Sequence, residues 1–95
     1  MPLQWPATRR RRKRKPVQVV FAKLGRHRCI GLAIEEDGKQ TIVVDPRQPE
    51  KEKLNTLIHE AIHLADFDIP EAKVIRLANK AAEVLWKQGY RKTPQ

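Results

Sequence analysis

Apolar and polar positions divide the chain into blocks with two different periods. From Val17 the segment VQVVFAKL is rich in β-branched and aromatic residues, and Cys29–Glu35 (CIGLAIE) and Gln40–Val44 (QTIVV) share that character. Runs of this length and composition predict strands. Gly25–Arg28 (GRHR) reads as a turn between the first two. Asp37-Gly38 separates the second and third, and both residues tolerate the positive φ that a two-residue hairpin demands. The expected sheet has three short antiparallel strands with one buried face. Asp45-Pro46 stops it, and Pro49 ends the following loop.

Beyond Pro49 the period lengthens. Pro49 or Glu50 opens a helix whose first turn carries Glu50 and Glu52, suited to the positive end of the helix dipole. At about 100° per residue, Leu54, Leu57, Ile58, Ala61, Leu64 and Ala65 share one apolar face. His59 and His63 point the other way, beside Asn55, Thr56 and Asp66. A second helix starts around Asp68–Glu71, with Asp68 as cap and Pro70 in the first turn. Its apolar stripe is Val74, Ile75, Ala78, Ala81, Ala82 and Leu85, continuing to Trp86, and Gly89 terminates it. Three strands followed by two helices define an α+β domain spanning residues 17–90, with a polar tail at 91–95.

Charge changes the picture less than its total suggests. The 95 residues carry 20 Lys+Arg against 11 Asp+Glu, a formal +9. Seven of those cations form one block: Arg9, Arg10, Arg11, Arg12, Lys13, Arg14 and Lys15. Without it, 13 positive and 11 negative charges remain, so the rest of the chain is near neutral at +2. Residues 1–16, with Pro2, Pro6, Pro16 and this block, read as a disordered basic arm. Such an arm can hold nucleic acid through phosphate contacts, with Trp5 available for stacking. Residues 31–70 are net −5, whereas the last 25 residues, with Lys73, Arg76, Lys80, Lys87, Arg91 and Lys92, are +4. One cysteine excludes an internal disulfide framework and suggests a reducing cytoplasm. No apolar run approaches the roughly 18 residues of a membrane span. Val17–Ala22, broken by Gln18, makes a poor secretory signal core.

The chemistry lies in His59-Glu-Ala-Ile-His63, an H-E-x-x-H sequence. Histidines at i and i+4 project from one helix face and can share one ion at about 2.0–2.1 Å. Glu60, about 100° around the helix, can reach a metal-bound water without being a ligand itself. Zinc needs a third protein ligand, and Glu71, Glu83, Asp66, Asp68, Cys29 and His27 are the candidates. Glu71 lies near the centre of the second helix's apolar stripe, aimed at the first helix, where a carboxylate would be desolvated without a compensating charge. A capping box with Asp68 is the competing role for it. Glu83 falls about 120° away on the solvent flank, and Asp66 suits a cap.

Thr56-Leu-Ile-His-Glu-Ala-Ile-His63, preceded by a hairpin and an Asp45-containing loop, resembles the core of a zincin metallopeptidase. It is most similar to very small zincin-like proteins of phages and mobile elements, related in pattern to ImmA/IrrE-type and SprT-like peptidases. In the ImmA/IrrE type the third ligand is a glutamate opening the next helix, and Glu71-Ala-Lys-Val-Ile-Arg-Leu-Ala78 matches that description. The resemblance covers roughly Gln40 to Trp86. Asp66 and Ile69 stand where the metzincin glycine and third histidine would be, and no histidine follows His63 to match the SprT-like third ligand. It implies a gluzincin-like zinc peptidase acting on a peptide or protein, with His59, His63 and Glu71 holding Zn2+ and Glu60 as general base. It also implies an edge strand that binds substrate backbone by strand addition, for which Gln40–Val44 is the candidate. The competing expectation is a zinc-stabilised nucleic-acid-binding or adaptor protein without peptidase activity, and hydrolysis of non-peptide amides is a third.

Overall fold

A computed structural model describes residues 16–24 and 30–91. The basic block at 9–15, the Gly25–Arg28 turn with His27, Cys29, and residues 92–95 lie outside the described residues. The elements are β1 (Val17–Phe21), β2 (Gly31–Glu36), β3 (Lys39–Val44), α1 (Glu50–Ala65) and α2 (Glu71–Lys87). The protein is α+β, with a three-stranded sheet covered by α1 and with α2 packed on α1.

The β2–β3 hairpin turns at Asp37 and Gly38, whose φ values are 50° and 76°. As expected, the Asp-Gly pair takes up the left-handed backbone that two-residue turns require. The sheet is mixed, however, not wholly antiparallel. Its order is β1-β3-β2, with β1 parallel to β3 and β2 antiparallel to it. The link from β1 to β2 is too long to enforce a hairpin, so β1 docks on the far side of β3. Bonds from Gln40 N to Pro16 O (3.0 Å) and from Ala22 N to Val44 O (3.1 Å) close the ends of this pairing.

Register places Val19, Ile42 and Ala33 in one row across the sheet, and Phe21, Val44 and Gly31 in the next. The helix-side core forms where these rows meet α1: Ile42, Val44 and Leu64 are buried, with Ala33 and Leu57 against them. Val74, Ala78 and Ala82 bury the inner stripe of α2. Burying a valine such as Val44 or Val74 contributes about 1.5–3 kcal/mol.

Helix α1 is covered on two sides, which alters its burial pattern. Thr56, expected on the polar face, is buried under β2, whereas Ala61 and Ala65, expected in the core, are exposed. On α2, Ile75 is likewise exposed. An apolar wheel position says nothing about which side the neighbours occupy. Both helices start at a proline N-cap without a side-chain capping bond, Pro49 for α1 and Pro70 for α2. Asp68 therefore does not cap α2; its N–H instead bonds Asp66 Oδ1 at 2.9 Å, making a tight turn between the helices. Gly89, at φ 85°, ends α2 as expected.

The β3–α1 loop is fixed by Asp45. Its carboxylate accepts bonds from Leu24 N (3.1 Å), Arg47 N (3.0 Å) and the Arg47 guanidinium (2.6 and 2.9 Å). The Arg47 side chain, then the two backbone N–H groups, hold the Asp45 carboxyl well below the usual carboxylate range. Gln48 carries the network on, donating to Asp45 O (2.9 Å) and accepting from Thr56 Oγ1 (2.8 Å). The loop is thereby tied to the helical turn just before His59.

Candidate metal centre

The α1–Asp66 turn–α2 connection brings the start of α2 back over the histidines. His59 Nε2 lies 3.1 Å from Glu71 Oε2, and His63 Nε2 lies 2.9 Å from Glu71 Oε1. The three residues offer ligand atoms that all fall within 4.8 Å of one another. Ligand atoms around a tetrahedral zinc stand about 3.3 Å apart, from bond lengths near 2.0–2.1 Å. Two imidazole nitrogens and a carboxylate gathered this closely could hold a metal ion. The carboxylate that the second helix's stripe aimed inward thus bridges the histidines, and it does not fold back onto its own helix cap.

Packing sets the orientation of both rings. Their centroids are 5.0 Å apart at 61°, and Phe67 stacks on His63 at 6.4 Å and 19°. The histidine side chains are about one-fifth exposed (19% and 21%), but Glu71 is 59% exposed. The expected desolvation of Glu71 is therefore not found: α2 overlies only α1, and its first turn opens to solvent. A metal here would be reachable from outside.

Glu60 turns toward the sheet. Burial pushes its carboxyl above the ordinary glutamate value, an effect that His59 and His63 oppose and Glu71 reinforces. The space it occupies exists because position 31 has no side chain. A Cβ built on Gly31 would lie 3.1 Å from both Glu60 Cγ and Oε2, and 2.5 Å from Thr56 Cγ2. Sequence reasoning passed over Gly31 and Phe67. A glycine inside an otherwise apolar strand was the available signal for a close approach.

The remaining candidates do not join the cluster. Glu83 pairs with Lys80 (3.4 Å) and Lys87 (3.6 Å), and these lysines, Lys80 first, lower its pKa. Asp66 and Asp68 form the interhelical turn. His27 and Cys29 fall outside the described residues.

Strand order also moves the edge. β3 (Lys39–Val44), expected to receive substrate, is the central strand, and β2 is the edge strand over the motif helix. The bond from Asp45 N to Ile30 O (3.0 Å) sets the alternation, so Gly31 and Ala33 direct their backbone N–H and C=O groups away from β3. Gly31 is also the residue beside Glu60.

No family model, curated protein or solved structure matches the chain. Among the described residues, no helix is long and apolar enough to cross a membrane.

Proposed function

We propose that the protein is a zinc-dependent metallopeptidase of reducing cytoplasm. The observation that carries this reading is the convergence of His59, His63 and Glu71 beside a half-buried Glu60 that is not a ligand. His59, His63 and Glu71 would hold the metal, which when bound supplies a Lewis acid and lowers the pKa of water. Glu60 takes the proton from the attacking water and returns it to the leaving amine. Burial, which raises its pKa above the ordinary glutamate value, favours a group that both accepts and gives a proton. The Gly31 and Ala33 backbone groups pair with an extended substrate, laying it along β2 past Glu60. Zinc-loaded protein is therefore expected to cleave an unfolded protein such as casein and to stop when zinc is chelated. Failure of stoichiometrically loaded protein to cleave any of a diverse peptide library counts against peptidase activity.

A second reading has its own support. Few large side chains are fully buried, only Val44 and Val74 among the described residues, so a metal joining α1 to α2 would contribute materially to folding. In that reading the site is structural and the protein is a nucleic-acid-binding or adaptor module. Glu60 speaks for the first reading, because a structural site has no use for a desolvated carboxylate beside its ligands.

A further inference from the structure

Helix α2 carries four cations, Lys73, Arg76, Lys80 and Lys87, and all four are exposed. At about 100° per residue they fall within an arc of about 60°. The arc is centred roughly 170° from the buried stripe of Val74, Ala78 and Ala82. The row runs parallel to the helix axis for about 21 Å, at 1.5 Å per residue. Lys80 and Lys87 have side chains 76% and 72% exposed, and among the described residues each pairs with the Glu83 carboxylate, at 3.4 and 3.6 Å. These contacts are too long and too exposed to neutralise the row. Four cations against one carboxylate leave the face at +3. Glu71 belongs to the opposite, inward arc, with the metal-ligating cluster.

We infer that the outer face of α2 binds the phosphodiester backbone of a nucleic acid. A straight cationic row fits a linear polyanion, and duplex DNA presents one negative charge per roughly 1.7 Å of axis. The same chain supplies a second cation block at Arg9–Lys15 for the same ligand, whereas residues 31–70, which contain His59 and His63, are net −5 and repel it. Nucleic acid therefore lies against the back of α2 and leaves the Glu60 side open. This holds whether the metal site is catalytic or structural, because none of the four cations touches the cluster.

The test is fluorescence anisotropy of the full chain with a labelled 20-bp duplex and a labelled single-stranded RNA, titrated at several salt concentrations. Replacing Lys73, Lys80 and Lys87 together by glutamine is expected to weaken binding at least tenfold and to reduce the steepness of log Kd against log salt by two to three, at about 0.9 per lost phosphate contact on DNA. Glu83→Gln is expected to do the opposite, tightening binding severalfold by removing the one carboxylate on this face. All substitutions are at the solvent face, and circular dichroism checks that the fold is kept. Unchanged affinity and slope in the triple variant would assign all binding to the arm and overturn the inference. So would weakened binding with Glu83→Gln. Exposed Leu77 and Val84 border the row, so vesicles with anionic phospholipid are included; binding to them without binding to either nucleic acid also overturns it.

Discussion

Gly31 and Glu60 share one space: a methyl group on Gly31 would sit 3.1 Å from Glu60 Oε2 and 2.5 Å from Thr56 Cγ2. The edge strand and the motif helix are thus in contact at Glu60, the proposed general base. The strand can approach because it presents backbone alone.

Gly31→Ala is expected to destabilise the protein by about 1–3 kcal/mol, the usual cost of overpacking. It should also lower kcat/KM by displacing Glu60. Thr56→Ser removes Cγ2 but keeps the hydroxyl that bonds Gln48. Combined with Gly31→Ala it should recover much of the lost stability. Thermal denaturation of the single and double variants checks this, and a double variant no more stable than Gly31→Ala would place the strain elsewhere.

Glu71→Ala is expected to lose bound zinc, and Glu83→Ala to retain it, because only Glu71 lies against His59 and His63. Atomic absorption on protein purified without chelator reads the difference directly.

Metal removal should loosen the contact between the two helices. With free zinc at 100 times Kd, the ion stabilises the fold by about 2.7 kcal/mol. Chelation should therefore lower Tm in the wild type and leave the Tm of Glu71→Ala nearly unchanged.

Asp45 is held ionised by Arg47 and two backbone N–H groups, so its pKa is depressed in the folded state. A depressed folded pKa contributes stability that is present above the unfolded value and is lost as pH falls through the folded one. Asp45→Asn should thus lower Tm at neutral pH and flatten its decline in strong acid. Equal acid sensitivity in the variant and wild type, followed by calorimetry, would assign that decline to other groups.

Much of the site was legible because its chemistry depends on spacing within helices. Four-residue separation put His59 and His63 on one face, and wheel position aimed Glu71 inward. Both inferences need only helical periodicity. The sheet was less legible: Val17, Val19 and Phe21 alternate identically beside β2 or beside β3, so the pattern puts β1 next to β2 in sequence and not next to β3. That error displaced the edge from β2 to β3. Exposure of Ala61, Ala65 and Ile75 also escaped the pattern, since apolar periodicity marks a face without saying how much of it a short partner covers. Thr56 went the other way, buried because Gly31 leaves room above it and Gln48 satisfies its hydroxyl.

Glu60 is the residue on which a catalytic reading and a structural one diverge. The most direct measurement compares peptide hydrolysis by wild type and Glu60→Gln, each loaded with one equivalent of zinc and shown to be folded. The expected result is hydrolysis by the wild type and a loss of roughly 10²–10⁴-fold in the variant at equal metal content, the scale of general acid–base catalysis. Equal rates in the two proteins would contradict the assignment of Glu60 as the base.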